Sequence, residues 1–562
     1  MHYSYKLDFG EFLLVLCELR QLLVGTNLRN KKREHTVDKV SYSNLSPNSF
    51  LERSALIYPE KPAVVYQDKS YTYAEFYERV NRLAGSLKQV GVKSGDRVAF
   101  LVPNLPAMLE GHYGPLRVGA ILVAMNIRLS SREIAYILNH SQAKILVFDS
   151  ELAPVIRSIK DQIPSVTDFI QVVDTVPIAD DIPSREYESF LDESPPGNHF
   201  TDLANEIDTI SLNYTSGTTG SPKGVEYHAR GAYLNALAVA TGTGLTSESV
   251  YLWTLPMFHC NGWCFTWGVT AVGATHICMR RVDPPGIYGL IRDKNVTHLC
   301  CAPTILTSMY SAPQARFEDL SGVNIVTGGA VPAPQVIRKI ENMGARLDHA
   351  YGLTETFGPH TMCIEQPHWD KLTLEQRNGI KARQGVPYVN SGPMLRIVDE
   401  KMMDVPKDGM TVGEVVMRGN NVMSGYFNDA QGTAEVFRGG WFHSGDLAVW
   451  HADGYIELKD RIKDVIISGG ENISSQEVEK VIMEHPAVLE VSVIGVSDDK
   501  WGEVPKAFVV LEDGIKVTEN EIIQFTRERL AHFKCPKYVE FGELPKTATG
   551  KIQKFRLRER GI

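Results

Sequence analysis

Tyr214-Thr-Ser-Gly-Thr-Thr-Gly-Ser-Pro-Lys-Gly224 is the stretch on which the reading of this chain turns. It follows the strand end Leu212-Asn-Tyr214 and packs hydroxyl side chains and glycines into one short loop. Glycines let backbone N–H groups turn inward and the hydroxyls add donors, so the segment forms a cradle for phosphate oxygens. Lys223 supplies a cation for the same anion. The loop is not a Walker A motif, which needs Lys directly after its last Gly, whereas Gly220 is followed by Ser-Pro-Lys.

Outward from the loop, strands and helices alternate. Ser49–Leu56 reads as a helix and Ala63–Tyr66 as a strand leading into Tyr71-Thr-Tyr73. Ala74–Val90 places Phe76, Val80, Leu83 and Leu87 on one helical face and stops at Gly91. Asp96–Val102, Ile145–Phe148, Thr297–Cys301 and Val323–Val326 are short apolar runs of the kind that form buried parallel strands. The pattern predicts a large α/β body from about residue 45, with helices on the sheet faces. After about residue 410 the texture changes: Gly413–Arg418, Ala448–Trp450 and Gly454–Lys459 read as antiparallel strands. Asp460-Arg-Ile-Lys-Asp464 is charged and reads as a linker. Beyond it lies a compact α+β unit with a helix over Ser475–Glu484 and strands at Val491–Val496 and Ala507–Val510.

Composition limits the function classes. The 562 residues suffice for several domain-sized units with ample core. A net charge of −9 and a pI near 6.0 lack the basic footprint of a nucleic-acid binder. Cys260-Asn-Gly-Trp-Cys264 is the nearest approach to a metal-ligand pair but has no second pair, so free thiols in a reducing compartment are expected. Phe12–Val24 is apolar but broken by Glu18, Arg20 and Gln21, too short to span a bilayer. Followed by Arg29-Asn-Lys-Lys-Arg33, it reads either as a dispensable extension or as an arm in weak contact with a membrane surface. Without a secretory signal or a Ser-Lys-Leu ending, a cytoplasmic location is expected.

Five further segments accompany the loop: Val326-Thr-Gly-Gly-Ala330, Tyr351-Gly-Leu-Thr-Glu-Thr356, Trp441-Phe-His-Ser-Gly-Asp446, Asp460-Arg-Ile-Lys-Asp-Val-Ile-Ile-Ser-Gly-Gly470 and Pro545-Lys-Thr-Ala-Thr-Gly-Lys551. In order and spacing the six resemble the adenylate-forming superfamily, in its acyl-CoA synthetase branch, over residues 50 to 555. The resemblance implies an N-terminal extension (1–44), an adenylation body (45–459), a hinge (460–463) and a small mobile C-terminal domain (464–562). It implies ATP, Mg2+ and coenzyme A as cofactor and co-substrates.

Activating a carboxylate on the α-phosphate brings two anions together, so preorganised positive charge is the main catalytic need. By resemblance, Lys551 bridges the α-phosphate and the carboxylate, and Thr354 bonds the α-phosphate. Thr215, Ser216, Gly217, Thr218, Thr219, Gly220 and Lys223 cradle the phosphates, while Glu355 with Thr215 holds Mg2+. Asp446, acceptor-only, suits the ribose hydroxyls with Arg461 in support. Gly328, Gly329 and Ala330 let adenine lie against backbone, and Tyr351 and Gly352 complete that face. Lys463 is the implied pivot, and Gly469 and Gly470 line a narrow channel for pantetheine.

Two departures stand out. Many ligases of the family carry Lys-Gly where this chain has Gly469-Gly470, which leaves the coenzyme A phosphates without an assigned cation. The family's His before Arg-Gly is replaced by Ala229, with His228 one residue earlier. For the acyl pocket, His259 is expected to border the carboxylate, with Trp263, Phe265, Ala302, Thr304 and Ala350 as walls. An inward tryptophan shortens a pocket, so a short- or medium-chain aliphatic acid is expected. A benzoate- or coumarate-like acid, or transfer to a carrier protein, is the alternative.

Overall fold

The computed structural model describes residues 43–194, 203, 205–215, 222–391, 394–512, 514–547 and 550–560. The basic and apolar segments before residue 43, and Ser216, Gly217, Thr218, Thr219 and Gly220 of the phosphate loop, lie outside the described residues. Met1–Ser43 is set off as a separate unit, and Asn44–Ile562 forms one compact unit. Among the described residues no helix is long and apolar enough to cross a membrane.

Asn44–Ile562 is mixed α/β, with a large body and a small C-terminal part. A seven-stranded sheet runs Arg185–Glu186, Asp168–Val172, Ala143–Asp149, Arg97–Leu101, Ile121–Ala124, Thr209–Tyr214, Gly224–His228. It is parallel except for the last pair, Thr209–Tyr214 against Gly224–His228, whose connection contains the phosphate loop. A nine-stranded sheet is built around the parallel strands Arg346–Leu353, Asn324–Thr327, His298–Cys301, Val250–Leu252, Thr275–Ile277 and Pro62–Tyr66, with antiparallel strands at both edges. Parallel strands such as Arg97–Leu101 and Ala143–Asp149 are largely apolar and buried, as expected where both sheet faces are covered. The helix Tyr73–Gln89 illustrates the local logic: Thr72 and Glu75 form a reciprocal capping box, and Phe76, Val80, Leu83 and Leu87 are buried.

Arg280 ties the two sheets together. It follows the strand Thr275–Ile277 of one sheet and places its guanidinium 2.7 Å from Asp149, which ends a strand of the other. Glu151 at 2.9 Å and Asp174 at 3.0 Å complete the cluster.

The body ends in a four-stranded antiparallel sheet, Leu395–Val398, Val412–Met417, Phe442–Trp450 and Ile456–Arg461. The expected linker therefore differs from the structure: Asp460 and Arg461 continue a strand, and only 462–464 form a turn. The C-terminal part has its own five-stranded sheet, in which the central strand Gly502–Leu511 pairs along its length with Val488–Asp498. It is held at the junction by Asp460, whose carboxylate accepts from the Ser475 N–H at 2.5 Å and the Ser475 hydroxyl at 3.1 Å. Arg558 pairs with Asp464 at 2.6 Å beside it.

Candidate active site

The C-terminal ends of parallel strands open a crevice where α/β proteins hold ligands. Here Asn324–Thr327 delivers Gly328 and Gly329, and Arg346–Leu353 runs into the turn Thr354–Thr356. A cavity of about 250 Å³ lies at this edge. Its walls include Phe258, His259, Trp263, Ala302 and Thr304 from the body and Lys546, Thr547 and Gly550 from the C-terminal part. Of the five predicted acyl-pocket residues, Trp263, Ala302 and Thr304 line it. Phe265 and Ala350 do not: Phe265 is buried and stacked on Tyr251 at 5.0 Å, and Ala350 presents backbone behind Gly328. Gly328 and Gly329, expected under adenine, face this same cavity, while Ala330 is exposed.

Lys551 is brought to this edge by a tight turn. Its N–H donates to Thr547 Oγ1 at 3.1 Å, and its carbonyl accepts from the Thr547 N–H at 2.7 Å. Gly550 takes φ +80°, and a Cβ there would overlap the Thr304 hydroxyl, so only glycine lets the turn seat. Burial first, then the charges of Arg461 and Lys463 against the opposing pull of Asp446, hold the Lys551 ammonium down to about 8. His259 is held down to about 4 by burial and by the Lys551 charge, so near neutral pH it is an uncharged imidazole.

Asp446 and Arg461 face each other across adjacent antiparallel strands. Arg461 Nε is 3.0 Å from one Asp446 oxygen, and the Tyr351 hydroxyl donates to the other at 2.7 Å. The carboxylate is thereby fixed while each oxygen keeps a lone pair for a further donor such as a sugar hydroxyl. Beside it, Glu355 accepts from the Tyr426 hydroxyl at 2.9 Å, and burial raises its carboxyl. The Tyr227 hydroxyl holds the Thr354 carbonyl at 2.6 Å. Lys223 stands 4.5 Å over the Tyr426 ring and 3.2 Å from Asp429. Thr215 Oγ1 accepts from the Lys223 N–H at 3.3 Å, joining the described ends of the phosphate loop.

The cavity wall carries an unusual backbone. Cys260, Asn261, Gly262, Trp263 and Cys264 all have positive φ, between 46° and 63°. Four of the five are not glycine, and left-handed helical geometry costs such residues about 1–2 kcal/mol each. This left-handed turn aims Trp263 between two glycines: a Cβ on Gly328 or Gly358 would lie 2.9 Å from the indole.

The remaining predicted residues sit elsewhere. Lys463 is exposed in the turn 462–464, and Gly469 and Gly470 lie at the tip of the hairpin joining Ile466–Ser468 to Glu471–Ile473, away from the cavity lining. Gly352 is packed against the backbone of Gly358, with no room for a side chain. His228 is accounted for locally: as N-cap of the helix Ala229–Thr243 its Nδ1 accepts from the Gly231 N–H at 2.8 Å, and its Nε2 is 3.2 Å from the Val422 carbonyl. Sequence reasoning missed Tyr426 and Asp429, neither of which falls in a recognised segment, and did not single out Phe258, the neighbour of His259.

A crevice at the ends of parallel strands, met by a half-buried lysine from the C-terminal part, is the arrangement of an adenylate-forming enzyme. The chain belongs to the AMP-binding enzyme family, in the acyl-CoA ligase branch: the AMP-binding enzyme model matches residues 51–427 and the AMP-binding enzyme C-terminal domain model residues 477–551. It is 46% identical to a 4-hydroxybutyrate–CoA ligase of Metallosphaera sedula, over 92% of this chain and 94% of the relative. It is 43% identical to the peroxisomal acetate/butyrate–CoA ligase of Arabidopsis thaliana, over 92% of this chain and 95% of the relative. Among solved structures, an anthranilate CoA ligase in complex with anthranoyl-AMP superposes with a TM-score of 0.82 at 26% identity, covering 93% of this chain and 98% of that one.

Proposed function

We propose that this AMP-forming ligase activates a short- or medium-chain aliphatic acid, and Trp263, standing 5% exposed as a wall of the 250 Å³ cavity, is the observation that carries the reading. In this reading the acid's carboxylate oxygen attacks the α-phosphorus of ATP, the bond to pyrophosphate breaks, and acyl-AMP forms. Coenzyme A sulfur then attacks the acyl carbon, AMP leaves, and the thiol proton is released.

Lys551 carries the charge that lets the two anions meet, with Thr354 on the same phosphate and neutral His259 bordering the carboxylate. The phosphate loop with Lys223 holds the triphosphate, and Asp446 with Arg461 holds the ribose. Glu355 and Thr215 are the chain's groups for Mg2+; one carboxylate and one hydroxyl suit a cation that takes its other ligands from phosphates and water. When bound, Mg2+ neutralises charge on the leaving pyrophosphate. Thioester formation follows withdrawal of Lys551 about the hinge at Lys463 and entry of the thiol past Gly469 and Gly470. A cytoplasmic setting belongs to the same reading, supported by seven described cysteines that are all buried, unpaired thiols.

The test is pyrophosphate release and thioester formation with acetate through dodecanoate and benzoate. kcat/KM is expected to peak at six carbons or fewer. Trp263→Ala is expected to move the peak to longer acids by roughly ten- to fiftyfold, since each added methylene gains about 0.8 kcal/mol on burial. A peak that stays put in the variant, or a preference for benzoate, would sink the assignment. Pyrophosphate without thioester would point to a protein-borne thiol instead.

A further inference from the structure

The left-handed turn Cys260–Cys264 needs something to hold it, and the structure supplies a clasp. Asn213, on the strand Thr209–Tyr214, is 2% exposed. Its Oδ1 accepts from the Asn261 backbone N–H at 3.1 Å, and its Nδ2 donates back to the Asn261 side-chain oxygen. The Ser211 hydroxyl donates to that same oxygen at 3.0 Å. Asn261 is fully buried and sits at φ 46°, ψ 46°, and its own carbonyl accepts from the Thr266 hydroxyl at 3.0 Å. Among non-glycine residues asparagine adopts this conformation most readily. Next to it, Gly262 is fixed by the Trp253 ring, 2.6 Å from where a Cβ would be.

This clasp joins two parts of the reaction. Asn213 lies two residues before Thr215, so the strand that leads into the phosphate loop also grips the turn that carries the pocket wall. Trp263 follows Asn261 by two residues within the turn, and its ring is pinned between Gly328 and Gly358. Without the clasp the turn can relax toward ordinary backbone geometry, and a relaxed turn no longer holds the indole at that depth.

We propose that the Asn213–Asn261 clasp, with Ser211, is a chain-length determinant that acts by holding Trp263 in the acyl cavity; Asn213 and Asn261 are positioning residues that need not touch substrate. The inference rests on the cavity being the acyl pocket.

The experiment compares kcat/KM for acetate, butanoate, hexanoate and octanoate in Asn213→Ala, Asn261→Gly and Trp263→Ala enzymes, alone and as the Asn213→Ala/Trp263→Ala double variant, with KM for ATP measured alongside. Glycine at 261 keeps the positive φ free of strain while deleting the amide, so that variant separates loss of the clasp from backbone misfolding. Asn213→Ala and Asn261→Gly are each expected to raise the octanoate-to-butanoate ratio about tenfold, with KM for ATP within about twofold of the parent, because one pocket contact discriminates on this scale. Ser211→Ala, which removes one of the two donors, is expected to shift the ratio the same way by less and is the variant to use if Asn213→Ala does not fold. In the double variant Asn213→Ala is expected to add nothing to Trp263→Ala.

If Trp263→Ala shifts the ratio but Asn213→Ala, Asn261→Gly and Ser211→Ala all lower every acid equally, the clasp is only structural and the inference fails. Additive shifts in the double variant would likewise overturn it. If Trp263→Ala itself leaves the ratio unchanged, the pocket assignment fails and takes the inference with it.

Discussion

Lys551 is the residue whose environment has the most direct chemical consequence. Its depressed pKa means that the ammonium form dominates below about 8 and is lost as pH rises through that value. For the free enzyme, kcat/KM for the acid is expected to fall above pH 8 toward tenfold per unit. Lys551→Arg, which stays charged, should abolish that alkaline limb, whereas Lys551→Ala should lower adenylation by roughly two to three orders of magnitude. Persistence of the limb in the arginine variant, followed by pyrophosphate release, would show that another group titrates. His259, held near 4, contributes no acid limb above pH 5. Residues such as Lys551, Glu355 and Asp446 were legible because they sit in segments with fixed spacing. Tyr426 was not, because a tyrosine that reaches Glu355 across 71 positions leaves no local signature. Phe265 was misplaced for a backbone reason: the left-handed turn sends Trp263 to the cavity, while Phe265, which opens the helix that follows, packs on Tyr251.

At the level of elements, the helix Ala229–Thr243 shows how a sequence departure is resolved. His228 satisfies the Gly231 N–H as a side-chain cap and also meets the Val422 carbonyl, so its imidazole is spent on structure. Removing a cap of this kind costs about 1 kcal/mol. His228→Ala is therefore expected to lower the midpoint of denaturation while leaving KM for ATP within about twofold. A tenfold rise in KM with unchanged stability would instead mark His228 as a nucleotide contact. The parallel strands Arg97–Leu101, Ala143–Asp149, His298–Cys301 and Asn324–Thr327 were readable from apolar runs, whereas Arg346–Leu353, which carries Arg346, Asp348 and His349, was not. Asp460 to Asp464 was misread because charge density suggested solvent, yet Asp460 is satisfied by Ser475, Arg461 by Asp446 and Asp464 by Arg558. Charges satisfied by partners remote in sequence look, in one dimension, like a linker. The left-handed turn was equally hidden, because only Asn261 and Gly262 of its five residues favour positive φ, and Cys260, Trp263 and Cys264 do not.

For the whole molecule, the contact between Gly550 and Thr304 is where the C-terminal part meets the cavity. A methyl group at 550 would be strained at φ +80° and would overlap Thr304, so it should keep Lys551 from seating. Gly550→Ala is expected to reduce adenylation on the order of a hundredfold while thioester formation from supplied acyl-adenylate stays within about threefold. Adding Thr304→Ala should restore part of the loss. An equal fall in both half-reactions would contradict a C-terminal domain that serves them in different positions. That the chain divides into a large α/β body and a smaller α+β part was visible in the compact pattern beyond Asp464, whereas the change of texture near residue 410 marks the antiparallel sheet that ends the body. That one cavity is walled by both parts was not visible, since Ala302 and Gly550 are remote in sequence and neither carries a chemical label.

Lys546, Thr547 and Gly550 form one side of that cavity, so if it takes the acid as proposed, the acid is housed in a room with a door. An acid of the wrong size is then turned away by a door that fails to shut, well before any bond is made. Affinity for the acid alone becomes a measure of how often the door is closed. In that reading the right acid, once inside, would be a captive whose exit and whose meeting with the thiol both wait on the same swing.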